Sequence, residues 1–256
     1  MPDAFNTLNC DHDGPIASIT INRPQSRNAI TEEMCVEMYA ATRQVSDSDA
    51  RVLILRGAGD DFCVGADLKA SNQPETPPTL EEMGSIHHAA TLLHTMPQVT
   101  IAAIDGGCAG AGLGWAAACD FRFSSSRAKF STGFLNVGLT TDMGLPWSLV
   151  RILGGAQARE LLFFPDKLDA VRALEIGLVT RVFDHEELHQ RVRELADELC
   201  VRPPFALRMM KANCVSADEL SLREFIGVET ARQLHCTNQP GLGDVMAANF
   251  AKSRKS

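Results

Sequence analysis

The rhythm of apolar and polar positions changes several times along the chain, and each change predicts an element. Residues 16–21 (IASITI) alternate and are rich in β-branched side chains, which predicts a strand with one buried face. Residues 5–10 alternate too, and Asp13-Gly14 between the two segments is a turn signal, so together they read as a hairpin. From Thr31 the period lengthens to that of a helix. Glu32 and Glu33 occupy its first turn, where the helix dipole favours acids, and it runs to about residue 48. VLILR (52–56) is apolar almost without a break, as expected of a strand covered on both faces, and Gly57 and Gly59 end it. SNQPETPP (71–78) reads as a surface loop, and a helix is predicted over 79–95. VTIAAI (99–104) is a second buried strand, followed by a glycine-rich turn and an alanine-rich helix. Short strands are predicted near 122–124, 129–131 and 179–183. Strands alternate with helices until the Arg202-Pro203-Pro204 break, after which only helical patterns remain. The order predicts an α/β core over 1–200 and a helical C-terminal region over 201–256.

Composition narrows the function classes. The 256 residues are 45% hydrophobic, enough for one large domain with its own core. With 24 basic against 32 acidic residues the net charge is −8, and no basic tract offers a nucleic-acid footprint. No apolar run approaches the roughly 20 residues of a membrane helix. The polar, acidic start lacks the pattern of a signal peptide. Eight cysteines are scattered with no CxxC pair, which reads as reduced, mostly buried thiols in a cytoplasmic protein. No HExxH or Cys/His cluster has metal-ligand spacing.

Two glycine-rich turns carry the chemistry. FCVGADLK (62–69) follows the VLILR strand, and DGGCAGAGLG (105–114) follows VTIAAI. Glycine permits positive φ and close backbone approach, so each turn can present free N–H groups at a strand end. The second also opens a helix, whose N-terminus is partly positive. Two such turns can aim two donors at one oxygen, an oxyanion hole for an enolate or tetrahedral intermediate. A dinucleotide-binding turn is a poorer reading, because Gly110-x-Gly112-x-Gly114 is not GxGxxG. Glycines that only let a helix pack closely remain an alternative on spacing alone.

The segments NRPQSRNAI (22–30), FCVGADLK (62–69), AAIDGGCAGAGLGWAAACD (102–120) and GLTTDMGLPWSLVRILG (138–154) resemble the crotonase, or enoyl-CoA hydratase/isomerase, superfamily. The likeness covers nearly the whole chain. It implies an α/β spiral of ββα turns with a helical C-terminal trimerisation region, assembled as a homotrimer or a dimer of trimers. It implies an acyl-CoA substrate, no cofactor beyond the CoA of the thioester itself, and the N–H groups of Ala66 and Ala111 as oxyanion donors. Hydratases of this family use two glutamates; the matching positions here are Gly114 and Phe134, neither of which can move a proton.

Asp142 lies where related isomerases carry an acid and where aryl-CoA dehalogenases carry a nucleophilic Asp. The resemblance therefore implies an enoyl-CoA isomerase, with Asp142 shuttling a proton and Phe134, Leu139 and Met143 as apolar pocket walls. The alternative role for Asp142 is a turn residue capping the helix that starts near Gly144. His87 matches the basic histidine of the dehalogenases, so hydrolysis or dehalogenation by Asp142 and His87 is the second reading. A non-catalytic acyl-CoA binder is the third. Matching positions imply CoA contacts from Arg27 and Lys69, and from Phe250 with the basic cluster Lys252, Arg254 and Lys255; a solvated basic tail is the plainer account of that cluster.

Overall fold

The computed structural model describes residues 5–69 and 80–253. Among them the large sheet is built from β1 (Leu8–Asp13), β2 (Ile16–Ile21), β3 (Val52–Gly57), β4 (Val99–Ile104), β6 (Phe121–Ser125) and β9 (Arg181–Phe183), in the order β1-β2-β3-β4-β6-β9. Only the β1–β2 hairpin is antiparallel. A small sheet contains β5 (Gly107–Ala109), β7 (Lys129–Ser131) and β8 (Leu168–Asp169). The helices are α1 (Glu32–Ser46), α2 (Leu80–Thr95), α3 (Ala111–Ala118), α4 (Leu145–Leu153), α5 (Gly155–Phe163), α6 (Ala170–Glu175), α7 (Leu188–Cys200), α8 (Pro204–Ala217), α9 (Leu222–Thr237) and α10 (Leu242–Ser253).

The expected spiral is evident in how each turn repeats. A strand of the large sheet leads to a short segment in a second layer, and a helix then returns the chain. β4 leads to β5 and α3, and β6 leads to β7 and then α4. The second-layer segments after β2 and β3 are single bridges: Ile30 pairs with Ala66, and Cys63 with Cys108.

Burial explains why these segments form these elements. In β3, Val52 and Ile54 face α7, packing with Val192 and Ala196, while Leu53 and Leu55 face the core containing Met34 and Met38 of α1. Both faces are covered, so the strand reads as continuous apolar sequence. α1 buries Met34, Met38, Ala41 and Val45 at helical spacing, and its Thr31 cap accepts the Met34 N–H at 3.2 Å. No described helix is long and apolar enough to cross a membrane.

The first strand departs from expectation. It covers residues 8–13 rather than 5–10, because pairing with β2 extends to Asp13 opposite Ile16. Ladder hydrogen bonds carry the polar Asp11 and His12 into this exposed edge. β5 and β8, only 3 and 2 residues long, are too short for periodicity to reveal.

Candidate active site

The two glycine-rich turns lie side by side. Cys63 N–H donates to the Gly107 carbonyl at 3.0 Å, and Ala109 N–H donates to the Cys63 carbonyl at 2.9 Å. Gly65 at φ +93° and Gly110 at φ +51° make the close approach, for a Cβ on Gly65 would sit 3.1 Å from the Ala109 oxygen. The bridge to Ile30 uses the Gly65 carbonyl and the Asp67 N–H, both at 2.8 Å, so the intervening Ala66 N–H points away from that partner. Ala111 is the first residue of α3, where N–H groups have no intrahelical acceptor. Among the described residues neither the Ala66 nor the Ala111 N–H donates to a protein acceptor.

Both alanines line one cavity of about 130 Å³, together with Phe134, Leu139 and Asp142. Phe134 is buried and Leu139 half exposed at the rim. The Asp142 Oδ1 is buried with no hydrogen-bond partner among the described residues. Burial lifts its carboxyl above the ordinary carboxylate range, and His87 pulls in the opposite direction. Asp142 does not cap α4 with its side chain: the cap residue is Gly144, and it is the Asp142 carbonyl that accepts the Leu145 N–H, at 3.0 Å. Left-handed conformations at Met143 (φ +49°) and Gly144 (φ +68°) turn the chain sharply after the carboxylate.

His87 and Met143 line a second cavity of about 540 Å³. The step from Asp142 to Met143 thus separates the two cavities, and Met143 serves the larger one. Cys35 and Cys63 also lie within electrostatic reach of Asp142. Desolvation, with Asp142 adding to it, pushes each thiol up to about 12, so both stay protonated at neutral pH.

A groove of about 540 Å³ adjoins the small cavity at Val64 and Ala109 and is lined by Arg27, Arg127, Lys129 and Lys167. Arg27 grips Asp61 with two hydrogen bonds, at 2.8 and 3.0 Å. Asp61 also accepts the Gly107 N–H at 2.6 Å, so this pair anchors the second turn from outside. Burial alone would raise the Asp61 carboxyl, but the hydrogen bonds from Arg27 and Gly107 outweigh it and hold the group below its ordinary value. Lys69 is exposed at the end of the first turn. Phe250 and Lys252 fall on α10, while Arg254 and Lys255 lie outside the described residues.

The structure thus gathers Ala66, Ala111, Phe134, Leu139 and Asp142 around one space, sets His87 and Met143 next to it, and leaves Arg27 on the adjoining groove. Sequence reasoning missed Asp61, Lys129 and Lys167. Nothing local marks them, because their shared groove is assembled from distant segments.

A spiral of this kind is the fold of enzymes of the crotonase superfamily. The enoyl-CoA hydratase/isomerase family model matches residues 11–245, and the chain belongs to that family. It is 32% identical over 219 residues to the 1,2-epoxyphenylacetyl-CoA isomerase of Escherichia coli (strain K12), covering 84% of each chain. It is 32% identical over 212 residues to the crotonyl-CoA hydratase of Syntrophomonas wolfei, covering 82% of this chain and 81% of the relative. A solved chain from Thermobifida fusca YX in complex with CoA superposes with a TM-score of 0.83 at 28% identity, over 98% of this chain and 95% of that one.

Proposed function

We propose that the protein isomerises an enoyl-CoA or related CoA thioester by proton transfer through a stabilised enolate. The observation that carries this reading is one cavity that holds, among the described residues, a single carboxylate, Asp142, with one oxygen buried, beside the Ala66 and Ala111 N–H groups, which have no protein acceptor there. The thioester oxygen accepts both N–H groups, which lowers the energy of the enolate as charge develops. Asp142 takes a proton from one carbon and returns it to another. Its raised pKa suits that work, since the carboxyl must hold the proton between the two transfers. Gly114 and Phe134 offer no second acid or base, which favours isomerisation over hydration.

In this reading the CoA moiety lies along the adjoining groove, where Lys129 and Lys167 are cations suited to phosphate. Exposed Leu222, Ile226 and Leu234 on α9 support assembly into a homotrimer or dimer of trimers.

The test is solvent deuterium exchange next to the thioester. Asp142→Asn is expected to lose exchange by about 100- to 10,000-fold while still binding CoA thioesters. Unchanged exchange overturns the reading.

One observation favours a second reading, hydrolysis or dehalogenation through an Asp142 ester: His87 acts electrostatically on Asp142. In that case His87→Gln accumulates a covalent adduct on Asp142, visible in the intact-protein mass.

A further inference from the structure

The turn between β2 and α1 contains a conformation that the proposed reaction does not require. Arg27 and Asn28 both adopt left-handed backbone, at φ +55° and +56°, with no glycine between them. L side chains rarely take this conformation, and it persists only where the surroundings hold it. Here the hold is visible. The Asn28 N–H donates to the Arg23 carbonyl at 2.9 Å, and the Asn28 Oδ1 accepts the Arg23 N–H at 2.9 Å. Asn28 is fully buried, and its Nδ2 donates to the carbonyls of Ala58 at 2.8 Å and Asp61 at 2.6 Å. The chain wraps this carboxamide so closely that a Cβ on Gly57 would sit 2.8 Å from Nδ2.

These bonds bear on the first donor turn. The Asn28 carboxamide pins the chain at Asp61, just before the turn begins. Ile30 pins it again on either side of Ala66: its N–H donates to the Gly65 carbonyl and its carbonyl accepts the Asp67 N–H, both at 2.8 Å. Arg23 adds a third hold, from Nη2 to the Asp67 Oδ2 at 3.0 Å. Residues 28–30 thus act as a rail to which both ends of the turn are fastened. Asp61 carries the connection further, because its carboxylate accepts the Gly107 N–H of the second turn at 2.6 Å. One buried carboxamide therefore sits where the two donor turns meet a common support. Asn28 does not line the cavity that holds Ala66, Ala111 and Asp142, so it has no place against a substrate there.

We propose that Asn28 is a positioning residue for the oxyanion site: its carboxamide fixes the Asp61 end of the first turn to the segment carrying Ile30, and so sets where the Ala66 N–H points relative to that of Ala111. The proposal rests on the reading of these two N–H groups as donors to the thioester oxygen, and it adds the residue that aligns them. Such donors must meet the oxygen at about 2.7–3.1 Å. A misplacement of about 1 Å can cost about 100-fold in rate, even when the altered residue is remote from the chemistry. Asparagine suits the position twice over, since it tolerates left-handed backbone and its amide supplies one donor for each of two carbonyls.

The experiment uses butyryl-CoA, isotope-labelled at the carbonyl carbon, with the full chain. Calorimetry reads its affinity. Infrared difference spectroscopy reads the carbonyl stretch, which falls as hydrogen bonds polarise the bond, and deuterium exchange next to the thioester reads enolate formation. In the wild type the bound carbonyl should absorb below its position in the free ligand. Asn28→Gly accepts the left-handed backbone but removes the carboxamide. It should lose most of that downshift and about 10- to 100-fold in exchange, while affinity stays within about threefold. Asn28→Asp fills the same space, but its ionised carboxylate cannot donate. It should behave alike, and it carries the test alone if Asn28→Gly fails to fold. A folded variant that melts earlier yet keeps the wild-type carbonyl stretch and exchange overturns the proposal, for Asn28 would then only stabilise the fold. The donor reading survives that outcome, because the wild type still shows the downshift. A wild type that binds butyryl-CoA with no downshift, or does not bind it, overturns both.

Discussion

A Cβ placed on Gly114 would lie 2.6 Å from the Cβ of Met143. The two residues belong to neighbouring turns of the spiral, and the left-handed backbone at Met143 presses its side chain into the space that a larger residue at 114 would need. The missing acid at this position is therefore built into the packing and is more than a lost side chain.

Gly114→Ala should accordingly destabilise the protein. Overpacking of a filled interior costs about 1–3 kcal/mol, and the clash is with a Cβ and backbone rather than a flexible tip. Denaturant unfolding checks this, and pairing it with Met143→Gly, which removes that Cβ and suits the positive φ, should recover part of the loss. A single variant as stable as the wild type would mean that the Asp142–Met143 step yields easily.

Ala111→Pro should separate the donor from the fold. Ala111 is the first residue of α3, a position that tolerates proline because its N–H has no helical acceptor. The variant should fold, yet turnover should fall about 100- to 1,000-fold as one oxyanion donor is lost. Full activity in a folded variant would remove Ala111 from the site.

Asp142→Asn should raise the melting temperature at neutral pH. The folded-state pKa of Asp142 is raised, so the fold binds its proton more tightly than the unfolded chain does. Stability from this group is fully present below the unfolded value of about 3.9 and is lost as pH rises through the folded value. The advantage of the Asn variant should thus be small near pH 4 and grow toward neutrality. Thermal melts at a series of pH values read it directly, and a difference that shrinks as pH rises would contradict the assigned burial.

Ile226→Lys should weaken self-association. Leu222, Ile226 and Leu234 recur at multiples of four along α9 and are at least half exposed, which leaves an apolar stripe for another copy. Light scattering at several protein concentrations should show smaller species for the variant. An unchanged mass would place the interface elsewhere.

Much of the fold could be read in advance where burial imposes a pattern. VLILR and VTIAAI are covered on both faces, and the glycine turns that follow them have compositions few other structures demand. The same turns and the 138–154 segment carried the family likeness, and through it Ala66, Ala111 and Asp142. What stayed hidden was long-range. The Asp61 carboxylate holds the Gly107 N–H across 46 positions of sequence, and no local signal records that bond. Residues 8–13 pair as a strand despite their polarity, because an edge ladder depends on backbone rather than side chains. The conformation of Met143 was equally invisible, since a methionine with positive φ has no sequence signature.

The backbone bonds between Cys63 and Gly107, and between Ala109 and Cys63, together with the Asp61 carboxylate on the Gly107 N–H, fix the two turns relative to each other without help from the side chains of the cavity wall. The proposed oxyanion site is therefore indifferent to what surrounds it. Substitutions at Val64, Phe134 or Asp142 can redraw the walls while both N–H groups stay where they are. Such a scaffold can serve isomerisation or hydration by exchanging a few wall residues, and the relatives of this chain, one named an isomerase and another a hydratase, accord with such a division of labour.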